Sequence, residues 1–198
     1  SEVSRMKLER DGWKFDTVQN ILMVYNGVWA SAITQDAAMC ISVNNNPYMR
    51  RTCYWGLAFN VFDKNSFKPW VNQVVGTGGL YQSLNPGCSP SRIWNFEFNN
   101  DSSGRRKAKE FLMQVPTGNL VVFRLVAING STIEQVDSWK ADTLVYGPGN
   151  TLYHMLRSQG VTVLDSLTSL KTINAVFAKN TPSYATQQVI SQGRFDAI

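Results

Sequence analysis

The chain contains a single histidine, His154, among its 198 residues. One histidine excludes metal sites built from several histidines, and any Ser–His or Cys–His catalysis would depend on that one position. The sequence also lacks the Gly-x-Ser-x-Gly turn that presents a nucleophilic serine. Because His154 lies one position away from the apolar helix face of Leu152 and Met155, we expect it at a helix rim and predict that this chain is not itself an enzyme.

Cysteine is also scarce, with only Cys40, Cys53 and Cys88. None of them forms a Cys-x-x-Cys pair, which excludes zinc ribbons and thioredoxin-type chemistry. Three cysteines allow at most one disulfide within the chain. Cys40 falls in a β-type run and is expected to be unpaired and buried. Cys53 and Cys88 are the candidate disulfide, which would close a long loop if the protein is exported.

Charge and long apolar runs are limited as well. Charged residues make up 17% of the chain, and 19 Lys and Arg against 14 Asp and Glu give a formal net charge of +5. No window reaches the roughly 20 apolar residues that a transmembrane helix requires. With 43% hydrophobic and 12% aromatic residues, the composition excludes intrinsic disorder and predicts a soluble globular domain without a membrane span.

The densest basic cluster is Arg105, Arg106, Lys107 and Lys109. On a helix these residues spread around the polar side, which favours a solvated face over a nucleic-acid footprint. We therefore expect no nucleic-acid partner.

Two acidic residues, Asp137 and Asp142, lie on either side of Trp139. Two carboxylates suggest glycosidase chemistry, yet acidic residues on such loops are usually solvated and their sequence spacing does not fix the carboxyl separation. The pair also lacks a calcium-loop pattern. We expect no metal and no cofactor.

Hydrophobic periodicity predicts an α/β (α+β) domain with a mixed sheet and two main helices. The helices are expected near 102–114, after cap residues at 100–103, and near 150–159, capped by Asn150 or Thr151 and closed by Gly160. The central strand is expected at about 119–127, where the apolar run is nearly continuous. Further strands are expected at about 20–33, 39–43, 55–62, 93–98, 161–164 and 173–178.

Glycine and proline punctuation divides the chain into three parts. We predict a lead-in segment at 1–19, one domain at 20–180 with a long loop at 64–91, and an exit segment at 181–198. The chain begins at Ser1 without Met, which is typical of a piece of a longer chain or a processed product.

Several stretches resemble the interleukin-like EMT inducer (PANDER-like) domain family. They are Met39–Val43, Gly56–Val61, Phe96–Ala127 and Leu156–Val161, and together with a strand ending at Ala178 they cover about residues 20–180. The string 139–154 is similar to the variant found in large Bacteroidota surface proteins, some of which resemble the PorU-like sortases of type IX secretion. The resemblance implies a compact β-β-α sandwich and a non-catalytic accessory module of a secreted or cell-surface protein.

The resemblance also implies carbohydrate binding. In the related stem module of an N-acetylglucosaminyltransferase, an acidic and a basic side chain hold the sugar, and Asn129 and Lys171 occupy comparable positions here. Trp139 on the neighbouring loop completes the first candidate site, because rings stack on the C–H faces of sugars. Trp70 and Tyr81 on the long loop form the second candidate site.

A second function stays open from the sequence. The same module could be a structural or docking domain of a type IX secretion-associated sortase-like protein, with neighbouring domains of the parent chain as its partners and no ligand of its own.

Overall fold

The structure, a computed structural model, describes residues 6–9, 12–15, 20–26, 40–49, 56–72, 79–84, 93–126, 136–142, 147–166, 172–191 and 196–197. These residues form an α+β fold, as the sequence predicts. The strands are β1 Met6–Glu9, β2 Gly12–Phe15, β3 Leu22–Asn26, β4 Cys40–Val43, β5 Asn46–Met49, β6 Gly56–Phe62, β7 Phe96–Phe98, β8 Leu120–Val126, β9 Thr172–Ala178, β10 Gln187–Ser191 and β11 Asp196–Ala197. The helices are α1 Ser102–Gln114, α2 Val136–Lys140 and α3 Leu152–Ser158.

A five-stranded sheet, ordered β10-β9-β8-β6-β7, forms the centre of the molecule. β8 is its middle strand, within one residue of the predicted bounds. The side chains of Val121, Val122, Phe123 and Leu125 are all buried, so this strand is covered on both faces as its continuous apolar run indicates.

The prediction that this sheet is mixed is wrong for the strands that the structure describes. Every neighbouring pair in the sheet is antiparallel. A helix between two strands suggests parallel neighbours, and α1 does connect two strands of the same direction, β7 and β8. However, β6 lies between those two strands, so the crossover does not make them neighbours.

The first main helix, α1, has the predicted bounds. Its N-cap is Asp101, whose side chain accepts a hydrogen bond from the Gly104 amide at 2.7 Å. Ala108, Phe111 and Leu112 point from α1 into the core against one face of the large sheet. Of the four residues in the predicted solvated basic cluster, however, two are buried: Arg105 is 2% exposed and Lys109 3%.

The second main helix, α3, begins with a reciprocal cap. The Thr151 hydroxyl and the His154 ring lie 2.9 Å apart at Nδ1, and Nδ1 also accepts the Thr151 amide at 3.4 Å. The single histidine therefore has a structural role at a helix start. Gly160 ends the helix region at φ +87°, where an added Cβ would approach the Thr186 hydroxyl to 2.8 Å.

The face of the large sheet opposite the helices is divided in two. Its apolar half packs Ala58, Phe62, Val122 and Val176 against a second, four-stranded sheet ordered β11-β3-β4-β5, which contributes Val24, Ile41 and Val43. Its polar half contains buried Asn60, Arg124 and Asn174. Arg124 Nη2 donates to Oδ1 of Asn60 at 2.9 Å and to Oδ1 of Asn95 at 3.1 Å.

Two segments near the C-terminus differ from the sequence predictions. Residues 161–164, predicted as a strand, lie in an irregular segment that leads into a 3₁₀ turn at Val163–Ser166, where Leu164 is buried. The segment 181–198, predicted as an exit segment, contributes β10 to the large sheet and β11 to the small one. Every helix within the described ranges is too short or too polar to traverse a lipid bilayer.

Candidate functional site

Of the residues that the sequence analysis selects for ligand binding, Trp139, Trp70 and Tyr81 lie in described parts of the chain. Asn129, Lys171, Cys53 and Cys88 lie outside the described residues. The Cys53–Cys88 disulfide stays a prediction. Titration of oxidatively prepared protein in denaturant without reductant should then count one free thiol.

Trp139 is fully buried. It lies on α2, with its ring edge-on to Phe123 at a centroid distance of 6.4 Å and the Arg105 guanidinium carbon 5.8 Å from its ring centroid. The ring therefore packs α2 onto the helix-covered face of the sheet and presents no surface to a ligand. Trp139 is therefore excluded as a ring on which a ligand could stack.

Trp70 and Tyr81 lie together, although they are 11 positions apart in the sequence. Their ring centroids are 5.6 Å apart and the ring planes differ by 30°. Tyr81 is 37% exposed, while Trp70 is half-buried. The two rings are therefore in contact at the surface, and we call this pair the aromatic platform.

The platform is built on the aromatic part of the core. Phe96 and Phe111 stack beneath it with centroids 4.7 Å apart. Trp70 meets Phe96 edge-on at 6.2 Å, and Tyr81 lies 5.8 Å from Phe111. Because the lower rings belong to β7 and α1, the platform has a rigid support.

The backbone that carries Tyr81 is in an unusual conformation. Tyr81 has φ 54° and Gln82 has φ 62°, both in the left-handed region that side chains with a Cβ rarely occupy. Two such residues in succession raise the free energy of the loop by about 1 kcal/mol or more each. The surrounding structure must therefore hold them in place.

Asn72 supplies that restraint. Its fully buried side chain accepts the Leu80 amide at 2.6 Å and donates to the carbonyl oxygens of Asn95 at 2.9 Å and Leu84 at 3.3 Å. The Leu84 amide in turn donates to the Glu97 carbonyl on β7 at 2.8 Å. One amide side chain thus joins both ends of the turn to the strand beside it.

Gly79 allows the turn to close. A Cβ at this position would approach the Leu84 carbonyl oxygen and the Ser83 carbonyl oxygen to 2.8 Å, and both are backbone atoms that cannot easily move. The glycine at the start of this turn is therefore required by close backbone approach.

The platform has both apolar and polar neighbours. Val71, Leu80 and Leu84 are exposed by 45%, 39% and 37%. The Gln82 side chain beside Tyr81 is also exposed and offers an amide donor and acceptor. This combination can contact a ligand that has C–H faces and hydroxyl groups.

Sequence reasoning missed two residues. Asn72 gave no signal, because its partners are brought together only by folding. Tyr184, 41% exposed, lies between two clefts of about 510 and 500 Å³, one of which is lined by Gln159, Asn180 and Thr181. An aromatic residue after Pro182 in a segment rich in Thr and Gln was the available signal for Tyr184.

Among the described residues, no three His, Cys, Asp or Glu side chains converge in a group that could hold a metal ion. Comparison of the sequence with protein-family models finds no match. Comparison with curated proteins finds none either.

Proposed function

We propose that this chain is a non-catalytic module that binds carbohydrate on the aromatic platform. In this proposal the platform replaces the Trp139 site, and the module belongs to a secreted or cell-surface bacterial protein. The resemblance to the interleukin-like EMT inducer domain supports this biological setting.

The observation that carries the proposal is the strained turn that contains Tyr81 and is held in place by the hydrogen bonds of Asn72. Left-handed backbone at a tyrosine is unfavourable, and such conformations persist at sites where they position a side chain. In this conformation the Tyr81 ring contacts Phe96 and Phe111, and it stays partly exposed beside Trp70.

The chemistry of the surface suits a pyranose ring. The face of a sugar presents C–H groups, which pack on aromatic rings, while its hydroxyl groups need donors and acceptors at the edge. Trp70 and Tyr81 supply the rings, and the exposed Gln82 amide supplies an edge contact.

A second function is favoured by a different observation. The side chains of Val71, Leu80 and Leu84, which lie on the same two segments as the rings, are exposed and add further apolar surface. Apolar surface of this kind is typical of protein interfaces. A docking function towards neighbouring domains of a sortase-like parent chain would use it.

Titration calorimetry against N-acetylglucosamine-containing and plant-type polysaccharides tests the proposal. We expect Tyr81→Ala to weaken binding about fivefold, since a ring contact contributes on the order of 1 kcal/mol. Tyr81→Phe, which keeps the ring, should retain most of the affinity.

The comparison variant is Tyr184→Ala, which removes a tyrosine of similar exposure (41% against 37%) that lies between two other clefts. If Tyr184→Ala abolishes binding while Tyr81→Ala does not, the platform is not the site. Absence of binding to every glycan would contradict the carbohydrate proposal and favour docking.

A further inference from the structure

A cleft of about 350 Å³ lies between the start of α1 and the start of α3. It shares no described lining residue with the aromatic platform, and none of its described lining residues is aromatic. Its walls include the hydroxyl groups of Ser102 and Ser103 and the charged side chains of Arg105, Arg106, Lys109 and Asp142.

Positively charged side chains outnumber negatively charged ones in the described lining of this cleft. Three cationic side chains face one carboxylate in the described lining. The Asp142 carboxylate is held by Arg105, through Nε to Oδ2 at 2.5 Å and Nη2 to Oδ1 at 3.0 Å. The other two cationic side chains of the described lining are those of Arg106 and Lys109.

Lys109 is buried, with Nζ donating to the Asn150 carbonyl oxygen at 2.5 Å and to its amide oxygen at 2.7 Å. Burial lowers the pKa of Lys109 because its charged form loses water. A negative charge in the cleft would favour the charged ammonium and offset that loss.

Arg106 is available to a ligand. Its side chain is exposed, and within the described part of the chain it forms no hydrogen bond or ion pair. The Ser102 and Ser103 side chains are also exposed. A guanidinium and two hydroxyl groups at one cleft provide donors for the oxygens of a tetrahedral anion.

We propose that this cleft binds an oxyanion, a phosphate or sulfate group, with Arg106 as its direct ligand and the ammonium group of buried Lys109 as a second positive charge in the lining. The volume lies at the small end of ligand sites, which fits one such group and the small body that carries it. The inference goes beyond carbohydrate binding and does not depend on the aromatic platform.

The test is an NMR titration with inorganic phosphate and inorganic sulfate, at an ionic strength held constant with sodium chloride. We expect saturable shifts of the α1 and α3 amides, with Arg106→Gln weakening binding about tenfold because a charge-assisted hydrogen bond is lost. The matched control is Lys107→Gln, which removes the same charge from the next residue, outside the described lining. It should change affinity by less than about twofold.

Equal weakening by the two variants would show that net charge alone attracts the anion, and would overturn the proposal. Shifts that do not saturate would overturn it as well. Glucose 6-phosphate distinguishes the source of the group: tighter binding than inorganic phosphate identifies an ester, and equal binding identifies the free anion. Because Tyr81→Ala leaves this cleft unchanged, failure here is distinguishable from failure of the carbohydrate proposal.

Discussion

The two faces of the five-stranded sheet are built from the same strands but differ in composition. On the helix-covered face, Phe59, Phe123 and Phe177 lie among apolar side chains from α1, α2 and α3. On the opposite face, half of the surface is apolar and the other half contains buried Asn60, Arg124 and Asn174. Neighbouring residues along β8, Phe123 and Arg124, thus enter very different surroundings.

The comparison shows that complete burial has opposite consequences on the two faces. Burial of a phenylalanine stabilises the fold because it removes apolar surface from water. Burial of an amide or guanidinium is tolerated only where hydrogen bonds within the protein replace those to water. The following predictions test this contrast.

The largest effect is expected from Phe123→Ala on the helix-covered face. Phe123 is fully buried and stacks on Phe59 with centroids 5.0 Å apart, so the substitution leaves a cavity in rigid surroundings. We expect the free energy of unfolding to fall by about 3–5 kcal/mol, measured by urea denaturation.

The matched control is Phe62→Ala on the apolar half of the opposite face. Phe62 is also fully buried and stacks on Phe67, which is partly exposed. We expect a loss similar to that from Phe123→Ala, because apolar burial should stabilise both faces in the same way. A much smaller loss from Phe62→Ala would show that the stabilisation by a buried ring depends on the face.

An intermediate effect is expected from Arg124→Lys on the polar half. Lysine keeps the charge but cannot reproduce the planar guanidinium that reaches Asn60 and Asn95. We expect a loss of about 2 kcal/mol in the free energy of unfolding. In a double-mutant cycle with Asn60→Ala the two losses of stability should not be additive. Simple additivity would show that the hydrogen bond between Arg124 and Asn60 does not cause the loss.

A gain in stability is expected from Asn174→Val. Oδ1 and Nδ2 of Asn174 are buried and have no hydrogen-bond partner within the described structure. Replacing an unsatisfied amide by an apolar side chain of similar size should raise the free energy of unfolding by about 1 kcal/mol. The near-isosteric Thr172→Val, which removes another buried unpaired hydroxyl, should act in the same direction. A clear loss at both positions would show that an ordered water or ligand satisfies them.

The smallest effect is expected in a surface turn that belongs to neither face. Hydrogen bonds from the Ser66 amide and hydroxyl and the Asn65 amide lower the pKa of Asp63. A lowered pKa in the folded state means that the charged carboxylate stabilises the fold above its unfolded pKa. This contribution is lost as the pH falls through the folded pKa.

Asp63→Asn should therefore make the free energy of unfolding fall less between pH 6 and pH 3 than it does in the parent chain, although it should still fall. Urea midpoints at the two pH values measure it. A pH dependence identical to that of the parent chain would assign acid sensitivity to other carboxylates.

Much of the fold was predictable where periodicity is long. The run from 102 to 114 has a cap residue and apolar positions at helical spacing, and its observed bounds agree. The strand prediction at 161–164 was wrong because a run of four residues with three apolar side chains does not distinguish a strand from a buried turn. There the Gln188 side chain accepts the Thr162 and Val163 amides at 2.7 and 3.1 Å, a contact between distant residues that no local pattern reveals.

The site was predictable only in part. Trp70 and Tyr81 were selected because they are aromatic residues on a loop rich in Gly and Pro, and folding brings these two together. The sequence could not rank them above Trp139, because it does not show that the residues around Trp139 form α2 and that its ring is buried. Nor could it identify Asn72, whose three hydrogen-bond partners lie 8 to 23 positions away.

The position of β10 has a consequence for aggregation. Its five residues pair with β9 from Gln187↔Val176 to Ser191↔Thr172, and the Gln188 amide also donates to the Gly160 carbonyl oxygen at 3.1 Å. A chain cut after residue 180 would leave the edge of β9 without this partner, and an uncovered edge of hydrophobic strand is a template for pairing with other chains. Such a truncated protein should self-associate through β9, whereas one that keeps residues 181–191 retains a covered edge.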